Sequence, residues 1–578
     1  MPKKGNKGRV IGDKAVLILA QHGRLHTIIQ NLPCRTPTSF NLNSAFGLCF
    51  RFGKVLIEFS EFGFRGMNMS HPFGDRAIVA QDHFEDRVSL DSFGGKLHVR
   101  WAPDEAVTPL GQLPFFIDYL KQANLFDPFV ADCPMSFTSP NAPKVRDILG
   151  TMVLSIVTGG RRYSHVNALR HDGINPGLLG MGKICSDDSV RRALVPIEQH
   201  EAETWLKHHL TFPLHPVVQE DWILDTDATV KPIYGKQEGA VVGYSPQKPA
   251  RPSHSYHSYM IANLRLILGV DVLPGNEHHG SHGLSGLLEI LDGLTKETRP
   301  YLVRGDASYG SEAVMSALEA RDQTYLFKLR MTRKVKELAF RLAGQRRWID
   351  SGRGWQAASS DLQLQGWSRK RRVVVLRRPL PKDTMVTTQP KEDGDQLVLG
   401  LSEVLSPDAV LWEYSVLATS LDCEARTLAQ LYRDRADAEN VFDELKNQWG
   451  WGGFTTRDLK RTRITARMTA IVYNWWSLFV RLVDPLASRE ATTSRPLLLT
   501  GVARASSHAG QTTLVFNSSH SQAKLIQAKL SNLVKFVRKL QNTPQLSAMD
   551  RWCQILGRAL SKYLHGKNPK PPPNLLSA

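Results

Sequence analysis

The sequence predicts an α/β fold with a partly parallel sheet, because β-like runs and amphipathic helices alternate between residues 216 and 344. "DWILDTDATV", "YLVRGDASY" and "TYLFKLR" read as strands, and "SYMIANLRLILGVDVLPG" reads as two strands joined by a tight turn. "LSGLLEILDGL" and "GSEAVMSALEARD" place their apolar residues at helical spacing. Such alternation is typical of a sheet that helices cover.

The regions on either side of this core are predicted to be mainly helical, with one β-rich insertion. Helical periodicity in "LGQLPFFIDYLKQANLF" and "KVRDILGTMVLSIVTGG" indicates helices upstream, and those around 146–195 allow two interpretations, a helix-turn-helix DNA-binding unit or simple packing. We divide the chain into an N-terminal extension outside the working fold (1–66), a helical DNA-binding or dimerisation region (67–215), the first part of the core (216–344), a mainly β insertion (345–410), the second part of the core with a long helix (411–484), and a basic helical C-terminal region (485–578).

The composition indicates a globular protein with a polyanionic partner. Among 578 residues, 73 Lys and Arg against 55 Asp and Glu give a formal net charge of +18, and nucleic acid is the commonest partner of such a chain. A basic protein without a special partner is the alternative. The six cysteines include no Cys-x-x-Cys pair, which argues against a zinc ribbon or a disulfide framework. No apolar run approaches the roughly 18 residues of a membrane span, so we expect a cytoplasmic protein.

Four polar residues in "YRDRADAENVFDELK" share one side of a predicted helix. At about 100° per residue, Tyr432, Arg435, Glu439 and Lys446 fall at roughly 0°, 300°, 340° and 320° around the axis. A core stripe would be apolar, whereas this one has a carboxylate between an arginine and a lysine. It is either a solvated face with ion pairs or a catalytic acid beside groups that hold phosphates.

Acidic residues in two predicted strands favour the catalytic interpretation. Asp225 and Asp227 in "ILDTDAT" share one face of a strand, and Asp306 lies where the strand of "LVRGDASYG" ends in a turn. Each Asp alone is more simply explained as a cap or turn residue. Together with Glu439 they form a set of carboxylates of the kind that Mg²⁺-dependent phosphoryl transfer requires.

The same residues resemble a large group of bacterial insertion-sequence transposases. "YRDRADAENVFDELK" reproduces their Tyr-x2-Arg-x3-Glu-x6-Lys signature, while "DTDAT" and "RGDASYG" resemble their two Asp motifs. The resemblance implies a ribonuclease-H-like core interrupted by a mainly β insertion, with Asp227 (in preference to Asp225), Asp306 and Glu439 as catalytic metal ligands. It also implies that Tyr432, Arg435 and Lys446 hold DNA phosphates near the cut.

The resemblance further implies a transposase that cuts at the inverted-repeat ends of its own element and joins the 3′-OH to target DNA. Mg²⁺, with Mn²⁺ as a substitute, would be the cofactor, double-stranded DNA the partner, a homodimer the active form and the bacterial nucleoid its place of work. A related nuclease without strand transfer and a catalytically inactive, DNA-binding repressor are the alternatives.

Three weaker signals allow more than one interpretation. The histidines at 254, 257, 278, 279 and 282 suggest a zinc site, active-site loop contacts or ordinary loop residues. A tryptophan of the insertion (Trp348, Trp355 or Trp367) is a candidate for stacking on a DNA base, with core packing as the alternative. The arginines of "SRKRRVVVLRR" suit either phosphate contact or a solvated face.

Overall fold

The structure is a computed structural model that divides into two units, Met1–Trp101 and Ala102–Ala578. It describes four short strands before residue 58, residues 87–100, and residues 105–571 with gaps at 219–220, 244, 246–247, 277–278, 381–396, 399–411, 455, 488 and 518–519. The interpretation of residues 1–66 as an extension falls largely outside the described residues.

The described residues of the first unit form three antiparallel hairpins. Their strands are β1 (Val16–Gln21), β2 (Arg24–Ile29), β3 (Phe50–Phe52), β4 (Val55–Ile57), β5 (Arg87–Ser92) and β6 (Gly95–Arg100).

The second unit is built on a mixed sheet in the order β11-β10-β8-β12-β13-β18-β16-β15-β14. The strands described in the second unit as a whole are β7 (Val107–Thr108), β8 (Ile223–Pro232), β9 (Val241–Val242), β10 (Pro252–Ile261), β11 (Leu266–Pro274), β12 (Leu302–Gly305), β13 (Tyr325–Lys328), β14 (Ile349–Gly352), β15 (Trp355–Leu362), β16 (Arg371–Pro379), β17 (Leu397–Val398), β18 (Trp412–Thr419), β19 (Ala503–His508) and β20 (Gln511–Phe516). The predicted α/β class is confirmed.

The strands predicted from the alternating pattern are consecutive neighbours in this sheet, from β11 to β13. β12 lies between β8 and β13 and is parallel to both, and all four of its residues are buried. β10 and β11 form the predicted tight pair, in which Arg265 adopts a φ of +51° just before β11 begins. The parallel strands β8, β12 and β13 all lie in the interior of the sheet, away from its edges. This is the position expected of strands that are buried on both faces.

The strands of the predicted insertion continue the same sheet. β14, β15 and β16 are antiparallel neighbours, and β16 pairs with β18 over seven residues from Val373↔Ala418 to Pro379↔Trp412. Since β18 pairs in turn with β13, continuous hydrogen bonding connects these strands to the centre. Residues 381–396 and 399–411, which complete the predicted insertion, lie outside the description.

Helices surround the sheet and supply most of the remaining core. They are α1 (Leu113–Gln122), α2 (Phe126–Ala131), α3 (Val145–Val157), α4 (Asn175–Leu178), α5 (Asp187–Ala193), α6 (Gln199–Thr211), α7 (His279–Asp292), α8 (Glu312–Glu319), α9 (Arg333–Ala343), α10 (Ala425–Arg433), α11 (Ala436–Gln448), α12 (Leu459–Val483), α13 (Ala491–Leu498), α14 (Ala523–Gln541), α15 (Ala548–Ala559) and α16 (Ser561–Leu564). Among the described residues, no helix combines the length and apolarity that crossing a bilayer requires.

The long helix α12 anchors the helical layer. The side chain of Asp458 caps its first turn by accepting a hydrogen bond from the amide of Arg461 (2.7 Å). Trp475 and Trp476 on this helix are 2% and 1% exposed and belong to the hydrophobic core. The Arg467 side chain reaches β11, where it donates to the Val270 carbonyl and to Asp271.

The C-terminal region was predicted to be helical, and the structure adds a hairpin to it. β19 and β20 pair from Ala503↔Phe516 to His508↔Gln511. Between them, Ala509 and Gly510 both have positive φ (+49° and +74°), as a two-residue hairpin turn of type I′ requires.

A buried ion network fastens β16 to α8. The guanidinium of Arg371, whose side chain is 2% exposed, donates to both oxygens of Glu319 (2.7 and 2.9 Å) and also to Glu312. Burial works against ionisation of the two glutamates. The hydrogen bonds that they accept, led by those from Arg371, outweigh burial and lower the pKa of each to about 2.

This network predicts acid sensitivity. The pKa of each glutamate is lower in the folded chain than its unfolded value of about 4.3, so the stabilisation is complete above that pH and is lost as the pH falls toward 2. Each proton taken up on unfolding contributes a slope of about 1.4 kcal/mol per pH unit. Glu319→Gln should therefore show a shallower loss of thermal stability than wild type below pH 4. Identical slopes in the two proteins would contradict this assignment.

Candidate active site

The central parallel strands bring two of the predicted acidic residues together. In the register of β8 and β12, Arg304 faces Asp225 and Gly305 faces Thr226, so the next residues along the two strands are Asp227 and Asp306. Asp306 follows the last residue of β12 and accepts a hydrogen bond from the amide of Ser308 (3.0 Å). Burial raises the pKa of Asp227 to about 6, with Arg435 opposing the shift and the Asp306 carboxylate adding to it.

Asp225 has a different partner. Arg304 donates to both of its carboxylate oxygens, from Nε (2.7 Å) and Nη2 (2.8 Å), and the two side chains are 1% and 3% exposed. The Nη1 of Arg304 also binds the carbonyl of Leu431, beside Tyr432. Asp225 therefore joins the two strands to the end of α10, and its oxygens are occupied.

The signature segment forms two helices rather than the single continuous helix that its spacing predicted. α10 ends at Arg433 and α11 begins at Ala436. At the junction the amide of Arg435 donates to the carbonyl of Tyr432 (3.1 Å), and the amide of Ala438 donates to the carbonyl of Arg435 (2.9 Å). These i→i+3 bonds tighten the backbone into a 3₁₀ turn, where the side chain of Arg435 is buried against β8.

Arg435 connects Asp227 to Glu439. Its Nη2 lies 3.2 Å from Oδ1 of Asp227, and its Nη1 donates to Oε1 of Glu439 at 3.2 Å. The Arg435 side chain is 6% exposed, whereas that of Glu439 is 66% exposed. Burial disfavours the charge of Arg435, but the surrounding acidic groups, Asp227 first, outweigh it and raise its pKa.

The other two signature residues lie on either side of this pair. Tyr432 is largely enclosed, and burial raises the pKa of its hydroxyl. Its surroundings include Arg435, Asp306, Glu439 and Asp227, which all act on it electrostatically. Lys446 is exposed near the end of α11, and its charge reaches Asp227. Ion pairs thus join Arg435 to Asp227, which lies in the middle of β8, and to Glu439. Asp306 and Lys446 act electrostatically on Asp227, and Asp227 acts on Tyr432.

The chemistry of the three acidic side chains, Asp227, Asp306 and Glu439, suits a hard divalent cation. All three acidic residues offer carboxylate oxygens, the ligands that Mg²⁺ prefers, and the adjacent Asp227 and Asp306 carry like charges in a largely buried setting. Within the described part of the chain, however, no three His, Cys, Asp or Glu side chains are arranged closely enough to hold a metal ion. Asp227 and Glu439 both contact Arg435, and Asp306 follows the strand beside Asp227.

The weaker sequence signals resolve differently. His254 and His257 are fully buried on β10, and His254 Nε2 lies 2.8 Å from the Glu238 carbonyl oxygen. His278 and the side chains of His279 and His282 lie outside the description. The described residues contain no zinc-like cluster.

The tryptophans of the insertion face arginines of the same sheet. Trp367 is 8% exposed, with the guanidinium of Arg371 5.2 Å from its ring centroid. Trp348 and Trp355 are half-buried under Arg377 (3.9 Å) and Arg378 (4.8 Å).

The arginines of "SRKRRVVVLRR" were predicted to contact phosphates or solvent; that prediction is wrong for the buried Arg371 (2% exposed), whereas Arg378 is 46% exposed. Arg371 pairs with Glu312 and Glu319, and Arg378 donates to the carboxylate of Glu413. Arg372 donates to the carbonyls of Leu421 and Cys423, and Arg377 donates to the carbonyl of Ala343. They connect strands and helices of the protein itself.

The helix α3, at the start of the suggested helix-turn-helix unit, is buried at eleven of its thirteen positions, which favours the packing interpretation for that helix.

Two charged residues near this site were not identified from the sequence. Arg304 is the partner of Asp225, and Lys231 lies on β8 four residues after Asp227. The two-residue period of a strand puts Asp225, Asp227 and Lys231 on one face, so this period was a signal that could have identified Lys231.

Comparisons with known proteins place the chain in a family. Residues 141–538, well over half of the chain, match the model described as transposase DDE domain group 1. No curated protein matches the sequence. Among solved structures, the cryo-EM structure of a piggyBac transposase synaptic complex with hairpin DNA is similar at 11% identity, over 81% of this chain and 88% of that chain, with a TM-score of 0.34. The extent of the family match shows that the chain belongs to the transposases of DDE domain group 1.

Proposed function

We propose that this transposase cuts DNA at the inverted-repeat ends of its own insertion element and joins the freed 3′-OH to target DNA. The observation that carries the proposal is that Arg435 bridges Asp227 and Glu439, while Asp306 directly follows β12, the strand that lies parallel to β8 beside Asp227. The mixed sheet, with acidic residues on adjacent parallel strands and a third on a neighbouring helix, supports a ribonuclease-H-like core.

Asp227, Asp306 and Glu439 would hold divalent metal ions, with Mg²⁺ as the expected cofactor. Two such ions, when bound, stabilise the charge on the attacking and leaving oxygens of phosphoryl transfer. The carboxylate of Asp225 stays with Arg304 and holds β8, β12 and α10 in register. Its buried bidentate pair fixes the backbone from which Asp227 and Asp306 project.

The remaining signature residues would position the DNA backbone. The Nε of the buried Arg435 guanidinium makes no hydrogen bond within the described residues, while Nη2 lies 3.2 Å from Asp227, and a planar guanidinium is suited to phosphate contact. Lys446 adds an exposed point charge on the same side as Glu439. Phosphate contacts of this kind fix the register of DNA without reading its bases.

Strand transfer distinguishes this function from its alternatives. A pre-cut end fragment with a free 3′-OH, incubated with a target plasmid and Mg²⁺, should give covalent joint products that sequencing detects. Cutting of intact ends without joint products would indicate a nuclease. Binding of the ends with neither cutting nor joining would indicate a repressor. Because joining requires two ends to be held together, active complexes should contain a homodimer.

A further inference from the structure

We propose that a basic groove beside β8 binds backbone phosphates of the DNA at a second site, distinct from the six predicted site residues. The groove is defined by five cationic residues, Arg162, Arg191, Lys231, Lys236 and Arg457. The inference rests on the proposed function, since it assigns this groove to the same DNA that is cut.

Lys231 is the central observation. β8 pairs with β10 without a bulge from Leu224 to Pro232, so Lys231 is on the same face as Asp227. Four residues at roughly 3.3 Å each separate the two by about 13 Å. That span corresponds to about four steps of DNA at 3.4 Å each. The groove would therefore hold DNA a few nucleotides from the cut.

The ammonium group of Lys231 is buried without an anionic partner. Its Nζ makes no hydrogen bond within the described residues, and the nearest aromatic ring, that of Tyr256, is centred 6.0 Å away. Burial lowers the pKa of Lys231 to about 8, so the group is still mostly protonated at neutral pH. A buried ammonium that lacks an acceptor is costly, and a phosphate oxygen in the adjacent groove would supply one.

The groove offers both space and charge for a polyanion. Two adjacent cavities of about 530 and 550 Å³ share Gly235 and Gln237 in their linings. Among the described residues that line them, Asp187 is the sole acidic one, and Arg191 pairs with it at 2.9 Å. Five cationic residues face this single carboxylate, which leaves a strongly positive surface.

Bare backbone forms part of the groove wall. Gly452 packs against the stem of Lys231, where an added Cβ would lie 3.5 Å from Cδ and Cε. At Gly453 an added Cβ would lie 2.0 Å from the carbonyl oxygen of Arg161 and would collide with it. Glycine is the residue that lets a ligand backbone approach the chain closely. Gly452 and Gly453 therefore leave this side of the groove, next to the Lys231 ammonium group, without side chains.

The test compares Lys231→Met with Lys296→Met. Lys296 is an 81% exposed lysine in the loop leading to the opposite, amino-terminal end of β12, so its replacement removes the same charge away from the groove. Binding of a fluorescent duplex carrying the terminal repeat is followed by anisotropy in EDTA, over a series of salt concentrations. Losing one phosphate contact should reduce the slope of log affinity against log salt by about 0.9 in Lys231→Met, and leave it unchanged in Lys296→Met.

Two further readouts separate a binding role from a structural one. Lys231→Met should keep or raise thermal stability while it weakens DNA binding, because it removes an uncompensated buried charge. Neutral methylphosphonates placed three to five nucleotides from the cut (the span estimated from ~3.3 Å per residue) should weaken wild-type binding but have little added effect on Lys231→Met. Equal salt slopes for the two variants would overturn the inference and leave the transposase function standing. Failure of the wild-type protein to bind the duplex at all would overturn both.

Discussion

Glu439→Gln should lower the rate of DNA cutting by about a thousandfold or more while leaving the fold intact. The change keeps the shape of the side chain and removes one carboxylate charge from the proposed metal site. Metal ions supply several kcal/mol of transition-state stabilisation in such reactions, and each ~1.4 kcal/mol corresponds to a factor of ten in rate. Single-turnover cleavage of labelled terminal-repeat DNA measures the effect.

Glu337→Gln is a matched control for that experiment. Glu337 is 57% exposed and pairs with Arg333 four residues earlier on α9, just as Glu439 is 66% exposed and pairs with Arg435. The exposed Arg333–Glu337 pair contributes at most about 1 kcal/mol. The buried Arg435 keeps its contact with Asp227 when Glu439 is changed, so both variants should melt close to wild type. If the two variants cut DNA equally well, Glu439 has no catalytic role.

Arg304→Gln should destabilise the protein by about 3–5 kcal/mol, the usual cost of leaving one charge of a buried pair without its partner. The change isolates Asp225 between β8 and β12 and also removes the bond to the Leu431 carbonyl. Chemical denaturation monitored by tryptophan fluorescence measures the loss.

The surface offers a close counterpart to this pair. Arg321 also makes a bidentate contact with a carboxylate, that of Asp292, at 2.8 Å from both nitrogens, but there the side chains are 28% and 50% exposed. Arg321→Gln should therefore cost less than about 1 kcal/mol. Adding Asp225→Asn to Arg304→Gln should recover part of the lost stability, because the isolated charge is then gone. Equal effects of the two arginine changes would contradict a special role for the buried pair.

Periodicity and motif spacing were sufficient to predict the central strands and the positions of the acidic residues. The runs around Asp227 and Asp306 are short, apolar and bounded by turn residues, so β8 and β12 could be recognised locally. Their parallel pairing, which makes the two carboxylates neighbours, depends on contacts between segments about eighty residues apart. The α/β pattern predicts that such a pair exists, but its register is set by packing between distant segments and is visible only in the structure.

The partners of a side chain were much harder to predict than the face that it occupies. The spacing of Arg435 and Glu439 correctly placed them on one side of a helix, yet the 3₁₀ turn at Arg435 depends on burial of that arginine against β8. From the sequence, the arginines of β16 were interpreted as a basic surface. Their carboxylate and carbonyl partners could not be recognised there, because they come from α8, α9 and β18. Charge patterns in one segment do not reveal partners supplied by another.

The carboxylates of Asp227 in β8 and of Asp306 just after β12, together with Glu439, are proposed to catalyse metal-dependent cutting of the insertion element's DNA. The most direct test incubates purified protein with labelled DNA from its own genomic flanks, in Mg²⁺ and in EDTA, and maps the products at nucleotide resolution. We expect cuts at the terminal repeats in Mg²⁺ and none in EDTA. Cuts that persist in EDTA, or their absence in both conditions despite tight binding, would contradict this catalytic role.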